Sequence, residues 1–192
     1  MITSKIPIYL ASKSPRRIRL LQQLGLDFKS FSFEFEEELK DGEHPIPTVK
    51  RLASHKLERA VQLVKNGILI TADTIVVLNK EIIGKPKNED DAKRILKKLS
   101  GKTHFVYTGY ALLNQVSGKS ILDYEKTAVT FRKLSPLEIE NYVKSGSPMD
   151  KAGAYGIQDD FGAVFVEKVN GCYYNVMGLP LAKIYKSLKE II

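Results

Sequence analysis

The sequence predicts an α/β fold. Segments with strand patterning alternate with segments of helical period along nearly the whole chain, and its 192 residues are 43% hydrophobic, enough to bury a sizeable core. Pro45, Pro47, Gly84, Pro86, Gly101, Gly146 and Pro148 punctuate the alternation. No stretch is long or polar enough to be an interdomain linker and no repeat is visible, so residues 1–192 are expected to form a single domain.

The elements follow in order. A strand over 7–11 leads into LASKSPRRIRLLQQLG, residues 10–25, where Ser14 suits an N-cap and Pro15 the first helical position. Ile18, Leu21 and Leu24 then recur at helical spacing and Gly25 is a stop, giving a helix over 15–25. Phe31, Phe33 and Phe35 alternate as one face of a strand over 28–35. A helix over 46–65 carries the apolar stripe Val49, Leu52, Ala53, Ala60, Leu63 and Val64. The run ILITADTIVVL, residues 68–78, reads as a buried strand. Periodicity places further helices over 88–99, 135–144 and 181–190, and further strands over 104–114, 120–132 and 162–169.

Composition narrows the chemistry. There is one cysteine, no leader pattern at the N-terminus, and no apolar run near the ~20 residues of a membrane span, which together point to a soluble protein of the cytoplasm. A net charge of +8 suits acidic partners, but the 30 Lys and Arg are interleaved with 22 acids, so charge alone does not separate nucleic acid from a phosphorylated small molecule. The GKT of SGKTHF has Leu96 where a P-loop needs its first glycine, and the GKS at 118–120 has Leu113 there, so no Walker-type NTPase is indicated. There is no HExxH or zinc-spaced cysteine pair, and His44, His55 and His104 are expected to be surface or structural residues. Cys172, lying beside Tyr173 with no base nearby in sequence, reads as a small packed side chain.

Several features call for a ligand. Arg16 and Arg17 occupy the first turn of a helix, where its dipole disfavours each cation by roughly 0.3 to 1 kcal/mol. Glu36, Glu37 and Glu38 form an acidic cluster that is either a solvated charge run or a seat for a hard divalent cation. Lys56 falls on the apolar stripe of its helix, four residues after Leu52 and four before Ala60, so its stem snorkels along the core edge or its ammonium meets an anion. Asp73 interrupts a buried strand as a hydrogen-bonded structural residue, a general base or a metal ligand, with Lys85 delivered after the short EIIG turn. In DKAGAYGIQDDFGAVFV, residues 150–166, three glycines allow the backbone close to a ligand while Lys151 and Gln158 supply a charge and an amide. A phosphate chain with a metal and a base accounts for all of these together.

The segments LASKSPRR, RLASHK, TADTIVV followed by GKP, LSGKTHFVYTG, DKAGAYGIQ and YNVMGLPL, running from Leu10 to Leu181, resemble the Maf-like nucleoside triphosphate pyrophosphatases. That resemblance implies an inosine-triphosphatase-like fold, a mixed twisted sheet with flanking helices forming two lobes around a deep cleft. It also implies a divalent metal, magnesium or manganese, and hydrolysis of a nucleoside triphosphate to the monophosphate and pyrophosphate. Position by position, Asp73 resembles the proton acceptor, Arg16, Thr74 and Gln158 the residues of substrate choice, and Ser12, Arg17, Lys56 and Lys85 the phosphate contacts. Glu37 matches the acidic metal position, with Asp73 sharing the metal, although Glu36 and Glu38 are adjacent.

The form DKAGAYGIQ, with Lys151 and Gln158 counted among the substrate-binding residues, is similar to the branch acting on dTTP and UTP, with modified pyrimidine nucleotides a further substrate class. The branch acting on 7-methylguanosine triphosphate carries a different pattern and is one alternative. A cell-division role in septum formation through protein contacts is the other. Expected partners are the nucleoside triphosphate and, by analogy, a second copy of the chain, with no stable nucleic-acid complex and no membrane. A bound triphosphate carries about four negative charges, which would explain why cations stand at the start of the 15–25 helix.

Overall fold

The computed structural model describes residues 2–35, 39–40, 42–158 and 161–192. Seven strands form one mixed open sheet in the order β2-β1-β3-β5-β6-β7, with β4 paired to β3. In chain order the elements are β1 (Ile8–Ala11), α1 (Pro15–Gln22), β2 (Lys29–Phe31), α2 (Pro45–Val61), β3 (Ile68–Leu78), β4 (Glu81–Ile83), α3 (Glu89–Leu99), β5 (Thr103–Asn114), β6 (Ser120–Phe131), α4 (Pro136–Lys144), β7 (Val166–Asn170), α5 (Tyr173–Val176) and α6 (Leu181–Ile191). The predicted α/β class is therefore observed. Among the described residues, no helix is long and apolar enough to cross a membrane.

The chain divides into two compact units, and β3, β5 and β6 contribute residues to both. The first unit comprises Met1–Asp73, Thr108–Glu125 and Gly178–Ile192. Here β1 pairs in parallel with β2 (Tyr9↔Lys29) and with β3 (Ile8↔Ile68). Parallel strands need a crossover, and α1 and α2 supply it. The helix α2 lies against β5 so closely that a Cβ on Gly109 would sit 2.2 Å from the Val49 carbonyl oxygen. Ala11 of β1, Ala60 of α2 and Leu69 of β3 form a buried cluster, with Tyr9, Phe31, Phe33 and Leu57 packed around. The helix α6 is tied down by polar contacts: Asn114 donates to the Ile191 carbonyl at 2.7 Å, and Lys183 donates to the Tyr124 carbonyl at 2.6 Å.

The second unit comprises Thr74–Tyr107 and Lys126–Met177. β3 turns into β4 through Asn79 and Lys80, both at positive φ, the geometry that matches a two-residue turn to the twist of a hairpin. Asn88 caps α3 and three acidic residues fill its first turn, so the helix dipole is complemented at its start. Ser135 and Glu138 form a capping box at the start of α4. The core gathers Val76, Leu96, Leu99, Val106, Phe131, Tyr142, Tyr155 and Phe165.

Two local expectations are corrected, and two short elements join the list. The strand expected over 28–35 stops at Phe31, yet Phe33 and Phe35 continue its aromatic row, with ring centroids 6.2 and 6.4 Å apart. The strand expected over 162–169 begins only at Val166, because Phe161–Phe165 winds into a 3-10 turn. In that turn Arg132 Nε donates to the Val164 carbonyl at 2.7 Å, and Phe161 meets Phe165 edge to face. β4 and α5 are too short to leave a periodic signal.

Candidate functional site

In the first unit, the polar groups singled out from the sequence fall into two clusters. At the start of α1, Ser14 is the N-cap and its Oγ accepts from the Arg17 amide at 3.4 Å, while the Ser12 hydroxyl accepts from the Ser14 amide at 3.2 Å. Arg16 and Arg17 are half-buried in the first turn, which holds no acidic residue. Arg17 Nε donates to the Gly178 carbonyl at 2.7 Å, so a peptide dipole from the YNVMGLPL segment orients this guanidinium. Two cations and the positive helix end thus share one small region.

The other cluster is the pair Lys56–Asp73. Lys56 does sit on the inner face of α2, and its ammonium forms an ion pair with Asp73 Oδ2 on β3. The side chains are 13% and 4% exposed, so the pair is nearly sealed from solvent. Desolvating the two charges is costly, so removing either partner would leave the other buried and uncompensated. The Phe35 ring lies over the ammonium with its centroid 5.2 Å away, which shields the pair from one side and adds a cation–π attraction. Nearby, Thr71 donates to the Ala53 carbonyl at 2.8 Å and so pins β3 to α2 at the register that sets Lys56 opposite Asp73.

In the second unit stand Thr74, Lys85, Lys151 and Gln158. Thr74 is the single residue of β3 that is not fully buried. Lys85 is exposed in the turn after β4, where the Gly84 carbonyl accepts from the Gly153 amide at 3.1 Å, so the GKP turn and the DKAGAYGIQ segment are fastened to each other. Gln158 is half-buried at the end of that segment. Lys151, expected among the substrate-binding residues, is buried, and its ammonium donates to the Ser147 carbonyl (2.6 Å), the Ser147 hydroxyl (3.2 Å) and Asp150 (2.9 Å). Those contacts hold its own loop. Glu37, expected at the metal, lies outside the described residues together with Glu36 and Glu38.

Sequence reading gave no role to Gly178, Tyr142 or Tyr155, took Phe35 only as part of a strand face, and expected a surface or structural His104, which the structure buries. His104 and Tyr155 pair across the chain. The two are in plain view inside LSGKTHFVYTG and DKAGAYGIQ, but their meeting depends on pairing two distant segments. His104 Nε2 and the Tyr155 hydroxyl are 2.8 Å apart, and both residues are buried. Burial pushes the His104 imidazole down to about 4 and the Tyr155 phenol upward, so both stay neutral.

An open mixed α/β sheet thus carries a cation-bearing helix start and a buried lysine–aspartate pair. The chain belongs to the Maf-like family, whose model, described as "Maf-like protein", matches residues 7–191. It is similar to the dTTP/UTP pyrophosphatase of Dictyoglomus thermophilum, 48% identical over 189 residues that cover 97% of each chain. It is also similar to the proteins of the same name from Dictyoglomus turgidum, 49% identical with 95% of each chain covered, and from Aquifex aeolicus, 49% identical over 96% of this chain and 95% of that one.

Proposed function

We propose that this protein hydrolyses dTTP and UTP to the nucleoside monophosphate and pyrophosphate. The buried Lys56–Asp73 pair carries the reading, because it places a carboxylate and a cation side by side in a chain so like the dTTP/UTP pyrophosphatases along its length. In the reaction a water oxygen bonds to the α-phosphorus, the bridging oxygen leaves with pyrophosphate, and Asp73 takes the proton from the water. Lys56, bonded to Asp73 Oδ2, fixes the rotation of that carboxylate, so its base lone pair is oriented before substrate arrives. Ser12, Arg16, Arg17 and Lys85 bind phosphate oxygens, and their charge offsets what accumulates on the departing pyrophosphate.

Gln158 reads the pyrimidine edge. Its amide donates to the O4 carbonyl and accepts from N3–H of uracil or thymine, whereas cytosine presents the reverse pair. Thr74 and Arg16 complete the choice of substrate.

Magnesium or manganese is the fitting cofactor, since a hard cation takes one or two carboxylates together with substrate phosphates, and Asp73 offers carboxylate oxygen. Such an ion would polarise a phosphoryl oxygen when bound. Among the described residues no group of three His, Cys, Asp or Glu can hold a metal by itself, so Asp73, with Glu37 as second ligand, would share it with the triphosphate. A cytoplasmic homodimer is part of the same reading.

The test is a panel of canonical and modified nucleoside triphosphates, 7-methylguanosine triphosphate included, assayed for pyrophosphate release with magnesium or manganese. Release from dTTP and UTP ahead of all others is expected. Inactivity on both, or a preference for a purine, would overturn the assignment.

A further inference from the structure

The segment Lys151–Gln158 is held by contacts that the reaction itself does not use. Lys151 ties its start to Ser147 and Asp150, the Gly153 amide is bonded to Gly84, and the Gly156 amide donates to the Tyr142 hydroxyl of α4 at 3.3 Å. Between these, Tyr155 turns inward. Its ring meets Phe131 edge to face at 4.7 Å and His104 at 5.4 Å, while its hydroxyl reaches His104 Nε2 at 2.8 Å. His104 stands on β5, inside the sheet and fully buried. Strand and loop are therefore joined by a buried polar bond. Its loss would leave a neutral donor or acceptor stranded among aromatic rings, so the loop has a single favoured seat.

The seat matters because of what lies next to it. A Cβ on Gly156 would come within 2.9 Å of Lys151 Cε and 3.5 Å of Gln158 Nε2, so the Lys151 stem and the Gln158 amide both rest against this bare backbone. The backbone that supports the amide is the residue directly after Tyr155. An amide that must distinguish uracil from cytosine is useful only if it cannot rotate or shift to suit both, since its two ends are nearly equal in shape.

We propose that His104 and Tyr155 are positioning residues for base selection: their buried hydrogen bond fixes the backbone that presents the Gln158 amide. The proposal rests on the reading that Gln158 meets the base. Neither residue touches substrate, and neither carries charge or transfers a proton.

The test compares kcat and KM for dTTP and CTP in four variants, with the melting temperature of each. Tyr155→Phe keeps the ring in its aromatic cluster and removes only the hydroxyl, and should lower the dTTP-to-CTP ratio of kcat/KM by about three- to tenfold, the scale of one buried hydrogen bond. The loss should fall on KM for dTTP rather than on kcat. His104→Leu should do the same. His104→Gln, which can put an amide nitrogen near the position of Nε2, should restore the ratio, a rescue that a packing role would not give. Gln158→Ala serves as the reference. If Gln158→Ala collapses the ratio while Tyr155→Phe leaves it intact, the positioning role is overturned and the base-reading role stands. If Gln158→Ala itself leaves the ratio unchanged, both fall.

Discussion

Lys56 of α2 and Asp73 of β3 form an ion pair that is almost sealed from solvent, roofed on one side by the Phe35 ring. Asp73→Asn keeps the shape and one acceptor for the ammonium but removes the proton acceptor, so turnover should fall by at least ~100-fold while the fold survives. Asp73→Ala is different. It strands a nearly buried ammonium and should cost about 3 kcal/mol of stability, most of which the added change Lys56→Met should recover without any return of activity. Chemical denaturation beside a pyrophosphate-release assay separates the two effects; an Asp73→Asn protein with normal turnover would remove Asp73 from the chemistry.

The two arginines of α1 should part company. Arg17 donates to the Gly178 carbonyl, so Arg17→Ala should lose about 1 to 2 kcal/mol of stability in addition to activity. Arg16→Ala removes a cation from the positive helix end and should leave the melting temperature nearly unchanged or slightly higher. Its activity should nonetheless drop by roughly 2 to 4 kcal/mol of transition-state stabilisation. Equal losses of melting temperature in both would show that the phosphate role of Arg16 is a structural one instead.

His104 predicts a pH dependence. Burial against Tyr155 and Phe131 holds its imidazole down to about 4, whereas in the unfolded chain it takes a proton near 6.5. The unfolded state therefore binds the proton first as pH falls. Stability from this group is complete above about pH 6.5 and is lost toward pH 4, by about 3 kcal/mol in all. Urea midpoints at pH 7, 5.5 and 4.5 should show this loss in the native protein and a shallower one in His104→Gln. Parallel curves would mean that His104 is not held neutral.

Gly109 should tolerate nothing larger. A Cβ there would stand 2.2 Å from the oxygen and 2.4 Å from the carbon of the Val49 carbonyl, and both are backbone atoms that yield only if α2 moves. Gly109→Ala should cost about 3 kcal/mol. Val49 lies about two turns before Lys56 on the same face, so turnover should fall as well. A variant with native stability would show that α2 shifts on β5 at little cost.

Much of the candidate site is legible in the sequence alone. Lys56 betrayed itself by sitting between Leu52 and Ala60 on an apolar stripe, and Asp73 by interrupting a run of buried strand residues; each violates a local pattern that the rest of its element obeys. Ser14 and Pro15 announced the start of α1, and Arg16 and Arg17 stood out because the dipole there disfavours them. Strand, helix and cap are set by neighbours within a few residues, so one sequence determines them. What remained hidden was who meets whom. Lys56 finds Asp73 across 17 positions, His104 finds Tyr155 across 51, and Arg17 finds Gly178 across 161. Those pairings depend on which strand lies beside which and on where a helix crosses the sheet. Lys151 shows the same: in sequence it is a charge beside a glycine-rich loop, and only the packed loop shows its ammonium donating to Ser147 and Asp150, because a buried cation takes the nearest oxygens that the tertiary fold supplies.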